Sequence, residues 1–316
     1  MIRRPRSMAV AVALALALPT PAVAGCEGSA VPWASPAALV LSGGGAKGAW
    51  EAGVAAALVE TGLPVALVAG SSAGALNAAL LAAGRADRLE ALWRGVERDR
   101  VYRLRAPVFL AGFLPGWLTL MALDRAGSLF DAAPLAELIS ANVEIDRIRA
   151  SPVRLLVTAT DLERRERRVF DNRTVSADAL RAAAALPGAF PPVPVDGALL
   201  IDGGLTGRAP IIEALEAGVP VARAIVLMSY APEERGQSPT TMRAAIEDAF
   251  EMAMIHQIGR DVELARLKHP AIDVQLLRPS APLRLRPLEF DPEGIARVLA
   301  LGRGDGAACA RVLGAR

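Results

Sequence analysis

The sequence predicts an α/β fold, and three observations carry that prediction. Two apolar strand-like runs, residues 38–41 and 65–69, each empty into a glycine-rich turn and then into an alanine-rich helical pattern. Three further apolar runs, 153–160, 224–228 and 272–277, read as strands, with long helical patterns at 239–267 and from about 292. The chain of 316 residues is 53% hydrophobic and has no linker-like break, so one large core is expected, a single domain over 36–316.

The first 25 residues read as a removable export signal. Arg3, Arg4 and Arg6 give a positive n-region, residues 8–18 an apolar h-region, and Ala22-Val23-Ala24 a small-residue cleavage site. That apolar run is too short to span a bilayer as a helix. Val23-Ala24-Gly25-Cys26 also reads as a lipobox that would lipidate Cys26, although Pro19-Thr20-Pro21 suits an ordinary soluble-secretion signal. The expected location is therefore the periplasm or the exterior, soluble or anchored through Cys26. A disulfide between Cys26 and Cys309 is available only if Cys26 is not lipidated.

Charge excludes one partner class. Without the three signal arginines, 32 of the 35 basic residues remain against 33 acidic ones, so the mature chain is near neutral and nucleic acid is not an expected partner.

The first glycine turn is Ser42-Gly43-Gly44-Gly45-Ala46-Lys47-Gly48. It satisfies G-x-G-x-x-G, but the carboxylate that a dinucleotide site needs about twenty residues on is missing, since 67–71 is Leu-Val-Ala-Gly-Ser. A P-loop is excluded because Ala49-Trp50 follows Gly48. Consecutive glycines that converge their amides suit an oxyanion hole instead, with Gly43, Gly44 and Gly45 as donors.

The second turn, Gly70-Ser71-Ser72-Ala73-Gly74, matches G-x-S-x-G between a strand and a helix, the setting of a nucleophile elbow with Ser72 exposed at the turn. Gly70 and Gly74 remove Cβ clashes from that sharp bend.

Residues 85–105 read as a charged, exposed helix carrying Trp93 and Tyr102. The next run, 107–123, is the most apolar of the mature chain, and Pro115-Gly116 breaks it, so it is not a transmembrane helix. It reads either as a core helix pair or as a lipid-facing surface with arginines beside it. A short helix follows Pro134. After the strand at 153–160, residues 163–168 suit a solvated turn, and 176–185 a helix that runs into the proline block 186–192. Asp196-Gly197 then turns a hairpin that delivers Asp202-Gly203-Gly204. That triplet is an ordinary turn in most settings, but at the end of an apolar strand Asp202 is a candidate base.

A serine hydroxyl needs a neighbouring base. His256 and His269 follow Asp202, which formally permits a hydrolase triad, but both read as structural. A Ser72–Asp202 dyad is the more economical assignment, provided that a dry site raises the aspartate's basicity.

The four blocks 43–48, 70–74, 186–193 and 202–204, in this order and spacing, resemble the patatin-like phospholipases across roughly 38–210. The resemblance implies a three-layer α/β/α fold with a mostly parallel central sheet. It also implies a lipid acyl hydrolase with Ser72 as nucleophile, Asp202 as base, the glycine loop as oxyanion hole and no cofactor or metal. Lys47, Gly48, Gly203 and Gly204 match supporting motif positions. The substrate implied is a phospholipid or other acyl-ester lipid, met at a membrane surface. One departure is Gly207-Arg208-Ala209-Pro210, where the family usually carries asparagines before the proline. The rival readings are a non-catalytic envelope lipid-binding protein of this fold and a dinucleotide-binding oxidoreductase.

Overall fold

A computed structural model describes residues 25–231 and 238–315, and the expected signal segment, 1–24, lies outside them. The strands are β1 (Ala37–Leu41), β2 (Val65–Ser71), β3 (Arg103–Leu104), β4 (Phe130–Asp131), β5 (Arg154–Asp161), β6 (Glu166–Asp171), β7 (Val193–Val195), β8 (Ala198–Asp202), β9 (Arg223–Leu227) and β10 (Asp273–Leu277). The helices are α1 (Gly48–Glu60), α2 (Ala73–Ala82), α3 (Ala86–Arg94), α4 (Arg98–Val101), α5 (Ala106–Ala111), α6 (Gly116–Ala126), α7 (Ala133–Asn142), α8 (Ile145–Arg149), α9 (Ala177–Ala183), α10 (Ile211–Leu215), α11 (Met242–Lys268) and α12 (Pro292–Val312).

The main sheet runs β10-β9-β1-β2-β5-β8-β7, with β6 on β5. From β10 to β5 every pairing is parallel, while β6 and β8 pair with β5 antiparallel and β7 with β8 likewise. Central strands buried on both faces read as continuous apolar runs, which is why β1 and β9 are legible from composition alone. Successive residues point to opposite faces. Ala37, Leu39 and Leu41 enter one core with α1, α2, α9 and α12, whereas Ala38 and Val40 enter a second with α10 and α11. The fold is therefore three layers, α/β/α.

The turn at Asp196-Gly197 is as expected, and both residues have positive φ, 48° and 76°, the signature of a type I′ hairpin. Ser176, Thr241 and Asp291 each cap the helix that follows by accepting a backbone amide proton.

One expectation changes, and one open alternative is resolved. The charged helix over 85–105 is instead α3, α4 and β3, interrupted at Gly95, and Trp93 and Tyr102 are buried rather than exposed. Trp93 turns inward because its Nε1 donates to Oδ1 of buried Asn77 at 2.8 Å. The run 107–123 forms a helix pair broken at Pro115, in which α5 buries Val108 and Ala111 while α6 buries none of its residues. Asp202 ends β8, which is antiparallel to both β5 and β7.

Cys26 is bonded to Cys309 on α12, with Cα atoms 5.5 Å apart. A cysteine in this bond has no thiol left for a lipid thioether.

Candidate active site

Pairing on β5 brings the two catalytic candidates together. Ser71 is opposite Thr158, and Asp202 is opposite the next residue, Ala159. Residues 159–161 pair with both β6 and β8, so β8 lies on the edge of β5 that β2 occupies lower down. The carboxyl ends of β2 and β8 thus meet head to head along one strand. Asp202 reaches the carboxyl edge of the parallel sheet by running down to it, whereas Ser72 reaches it by running up.

Ser72 caps α2 with φ 55° and ψ −134°, a sparsely populated conformation for a residue with a Cβ. Its amide donates to Ala183 O at 3.1 Å, and its carbonyl accepts from Ala75 N at 3.0 Å. The flanking glycines are there for space: a Cβ on Gly70 would lie 2.3 Å from Gly74 O, and one on Gly74 would lie 2.6 Å from Leu41 O. The elbow and the glycine loop interlock in the same way, since a Cβ on Gly43 would sit 2.4 Å from Ser71 O. Gly48 presses on Ala73 and Trp93, and Gly203 on Thr158 O.

Asp202 is buried. Its Oδ1 accepts from Gly204 N at 2.8 Å, and the Ser72 hydroxyl is near enough to favour the charged carboxylate. Burial raises its pKa, opposed by the charge of Arg208 and by the bonds from Gly204 and Ser72. A more basic aspartate facing the serine hydroxyl is the electrostatic requirement of a dyad.

The three-glycine oxyanion assignment needs correcting at Gly43. Its amide is already taken, donating to both carboxylate oxygens of Glu51 at 2.9 and 3.0 Å, and Ser42 Oγ donates to the same group at 2.8 Å. Gly44 and Gly45 line the cavity beside Ser72 and Ala73, the first residue of α2. Amides of glycine turns and of helix N-termini are the kind of donors from which an oxyanion hole is built.

Glu51 was not among the expected site residues. It is fully buried, and burial pushes its pKa up to about 8 against the bonds from Ser42 and Gly43 and the charge of Arg208. The sequence signal was a lone carboxylate in the apolar run 48–59. Ser229 was also missed, and its Oγ donates to Gly43 O. Lys47 is buried and ties the loop to α11 through Glu251 Oε1 at 2.5 Å.

Ser72 and Asp202 line a cavity of about 430 Å³, within the range of small-molecule sites and walled mostly by apolar side chains. Leu76, Val96, Leu135, Leu138 and Phe190 supply much of that wall. His256 is exposed on α11, His269 lies beside Glu216, and neither lines the cavity, so no triad forms.

A family model described as patatin-like phospholipase matches residues 39–215. The uncharacterized NTE family protein Rv1063c of Mycobacterium tuberculosis is 34% identical over 175 residues, 55% of this chain and 44% of that protein. The cGAMP-activated phospholipase of Pseudomonas aeruginosa is 33% identical over 189 residues, 54% of this chain and 53% of that protein. The chain thus spans about half or less of the length of these relatives. Among solved structures, VipD of Legionella pneumophila aligns with 89% of this chain and 67% of its own at a TM-score of 0.49 and 18% identity.

Proposed function

Since the chain belongs to the patatin-like phospholipase family, we propose that it hydrolyses the acyl esters of lipids through an acyl-enzyme on Ser72. The observation that carries this reading is the head-to-head meeting of β2 and β8, which sets the Ser72 hydroxyl against a buried, basic Asp202 at the wall of an apolar cavity.

Ser72 Oγ attacks the ester carbonyl carbon while its proton passes to Asp202. The tetrahedral oxyanion faces the amides of Gly44, Gly45 and Ala73. Collapse expels the alcohol, which takes the proton back from Asp202. Water then attacks the acyl-enzyme, with Asp202 again accepting the proton, and the fatty acid leaves as Ser72 recovers its hydrogen.

The surface suited to reach such a substrate is the α5–α6 hairpin. Phe109, Leu110, Phe113, Trp117 and Leu120 are all exposed, and residues 106–123 carry no charge. Its root is fixed to the cavity wall: Leu129 and Phe130 donate to the carbonyls of Gly188 and Ala189, beside Pro187 and Phe190, which line the cavity. An apolar, tryptophan-bearing projection of this kind suits the interfacial layer of a membrane. The Cys26–Cys309 disulfide fits a chain exported to an oxidising compartment, which mass spectrometry of the mature N-terminus tests.

The mechanism predicts that Ser72→Ala lowers ester hydrolysis by about four to six orders of magnitude and Asp202→Asn by roughly three to four. Steady-state rates on a short-chain ester, with fluorophosphonate labelling located by peptide mass spectrometry, check both. Unchanged hydrolysis in either variant removes the dyad. A folded wild type with neither turnover nor label selects the non-catalytic lipid-binding alternative.

A further inference from the structure

Arg208 stands where the family pattern usually has asparagine, and the structure gives it a place that its motif position did not suggest. The turn 203–208 is built to hold it. The amides of Thr206 and Gly207 both donate to Gly203 O, at 3.2 and 3.1 Å, and Thr206 Oγ1 meets Thr160 Oγ1 at 2.9 Å. Arg167 lies under the turn, paired with Glu213 and donating to Thr206 O, and a Cβ on Gly207 would fall 1.8 Å from its guanidinium. Glycine at 207 makes room for one arginine and leaves the next to face the cavity, its own amide donating to Gln257 Oε1 at 3.3 Å.

The Arg208 guanidinium therefore lies over the catalytic loops. One terminal nitrogen is 3.2 Å from where a Cβ on Gly44 would be, and the other is 3.2 Å from that position on Gly204. Among the described residues no acceptor takes a hydrogen bond from it. The carboxylates near it feel its charge but take their hydrogen bonds from other groups, Asp202 from Gly204 and Glu51 from Ser42 and Gly43. Glu51, at about 8, is moreover mostly protonated at pH 7 and does not cancel the charge. The other acidic residues of the wall have cations of their own, Glu251 with Lys47 and Glu247 facing Arg286. A half-buried guanidinium has donors in a rigid fork that matches the oxygens of a phosphate.

We propose that Arg208 forms an anion subsite of the cavity, which takes the phosphate of a glycerophospholipid while that lipid's acyl ester lies over Ser72. This deepens the hydrolase reading and rests on it for the identity of the second group. In a glycerophospholipid the phosphate and the sn-2 ester are only a few bonds apart, so both reach their partners in one small site. Neutral acylglycerols, with a hydroxyl in place of the phosphate, leave the guanidinium without its partner.

The test uses the full mature chain with Ser72→Ala, which cannot turn over, and the same chain with Arg208→Gln or Arg208→Lys added. The probes are monomeric dihexanoylglycerol phosphate, dihexanoylglycerol and inorganic phosphate, titrated by calorimetry, with circular dichroism to verify folding. The phosphate-bearing lipid should bind roughly ten- to a hundred-fold tighter than the neutral one, the span of a charge-assisted bond. Arg208→Gln should abolish that preference, and Arg208→Lys should keep part of it. Equal affinities for the two lipids, or a preference that survives Arg208→Gln, would overturn the subsite. Binding of inorganic phosphate as tight as that of the lipid would also overturn it, by assigning the site to the free ion. The ratio of kcat/KM for the two lipids in the Ser72 chain should follow the binding ratio. Turnover of both lipids at equal rates would overturn the subsite and leave the hydrolase reading standing. Preferential binding without turnover of either would overturn the hydrolase reading and leave the subsite.

Discussion

Two apolar helices of this molecule, α1 and α6, meet opposite fates. Helix α1 is buried from Gly48 to Leu58, while α6 buries nothing over Gly116–Ala126. The difference lies in side-chain size rather than in polarity. Alanine and glycine on α1 let α12 come backbone to backbone: a Cβ on Gly302 would lie 2.1 Å from Trp50 O, one on Gly53 2.3 Å from Leu299 O, and one on Gly306 2.7 Å from Val54 O. Trp50 closes the crossing by donating from Nε1 to buried Asp305 at 2.8 Å. Helix α6 carries Trp117, Leu120 and Met121, side chains that would fill a core yet are exposed, while Leu118 and Leu123 are only half-buried. On α1 small apolar residues go with close packing, and on α6 large ones in a row remain exposed.

The harshest test of that contrast is a single side chain in the α1–α12 crossing. Gly302→Val would drive a branched side chain into the Trp50 carbonyl, and overpacking of this kind costs about 3 kcal/mol. For a chain of this size the expected fall in Tm is about 6–12 °C. Calorimetry checks it, and a fall under about 2 °C would mean that the crossing is loose and that small residues there are incidental.

A second test sharpens what the buried helix tolerates. Glu51 is the carboxylate in the middle of α1, with a folded pKa of about 8 against an ordinary 4.5. Between those values the folded chain holds a proton that the unfolded chain has lost. The contribution of Glu51 to stability is therefore fully present below pH 4.5, declines as pH rises through the window by up to about 1.4 kcal/mol per unit, and levels off above 8. Glu51→Gln should flatten the decline, because the amide does not titrate. Asp202 is also raised and adds the same sign in both proteins, so the difference isolates Glu51. Urea unfolding at pH 5, 6.5 and 8 measures it, and parallel slopes in wild type and variant would place the proton elsewhere.

These residues also show where the sequence was legible. Ser72, Asp202 and the Gly44–Gly45 amides come from motifs whose chemistry demands fixed residue types at fixed spacing, so they could be named as candidates before any contact was known. The strands β1, β2, β5, β9 and β10 were legible because strands covered on both faces are apolar without interruption. What could not be read is whatever depends on contacts distant in sequence. Gly43 reads as a free donor until Glu51 folds beneath it, and Trp93 reads as exposed until Asn77 meets its indole. Arg208 reads as a local irregularity until Arg167, forty-one residues earlier, is found under its turn. The direction of β8 is in the same class, since an apolar run ending in Asp202 looks identical whether it runs up the sheet or down.

The smallest expected effect on stability is at α6, and it separates the two helices most cleanly. Phe113 and Trp117 are 75% and 66% exposed, so replacing both with serine removes almost no packing from the folded chain. Substitutions at such surface positions usually stay within about 0.5 kcal/mol, and Tm should move by less than about 2 °C. Membrane affinity should respond quite differently. Each aromatic that enters the interfacial layer contributes about 1.5 kcal/mol or more, so the double variant should bind liposomes at least about a hundred-fold more weakly by co-sedimentation. Hydrolysis of a monomeric short-chain ester should persist, because the dyad is not touched, while hydrolysis of the same lipid in vesicles should fall with binding. A variant that unfolds early would show that α6 is packed after all. One that keeps full vesicle binding would return the hairpin to the class of exposed apolar residues with no partner, and the contrast with α1 would then be one of tolerance rather than of purpose.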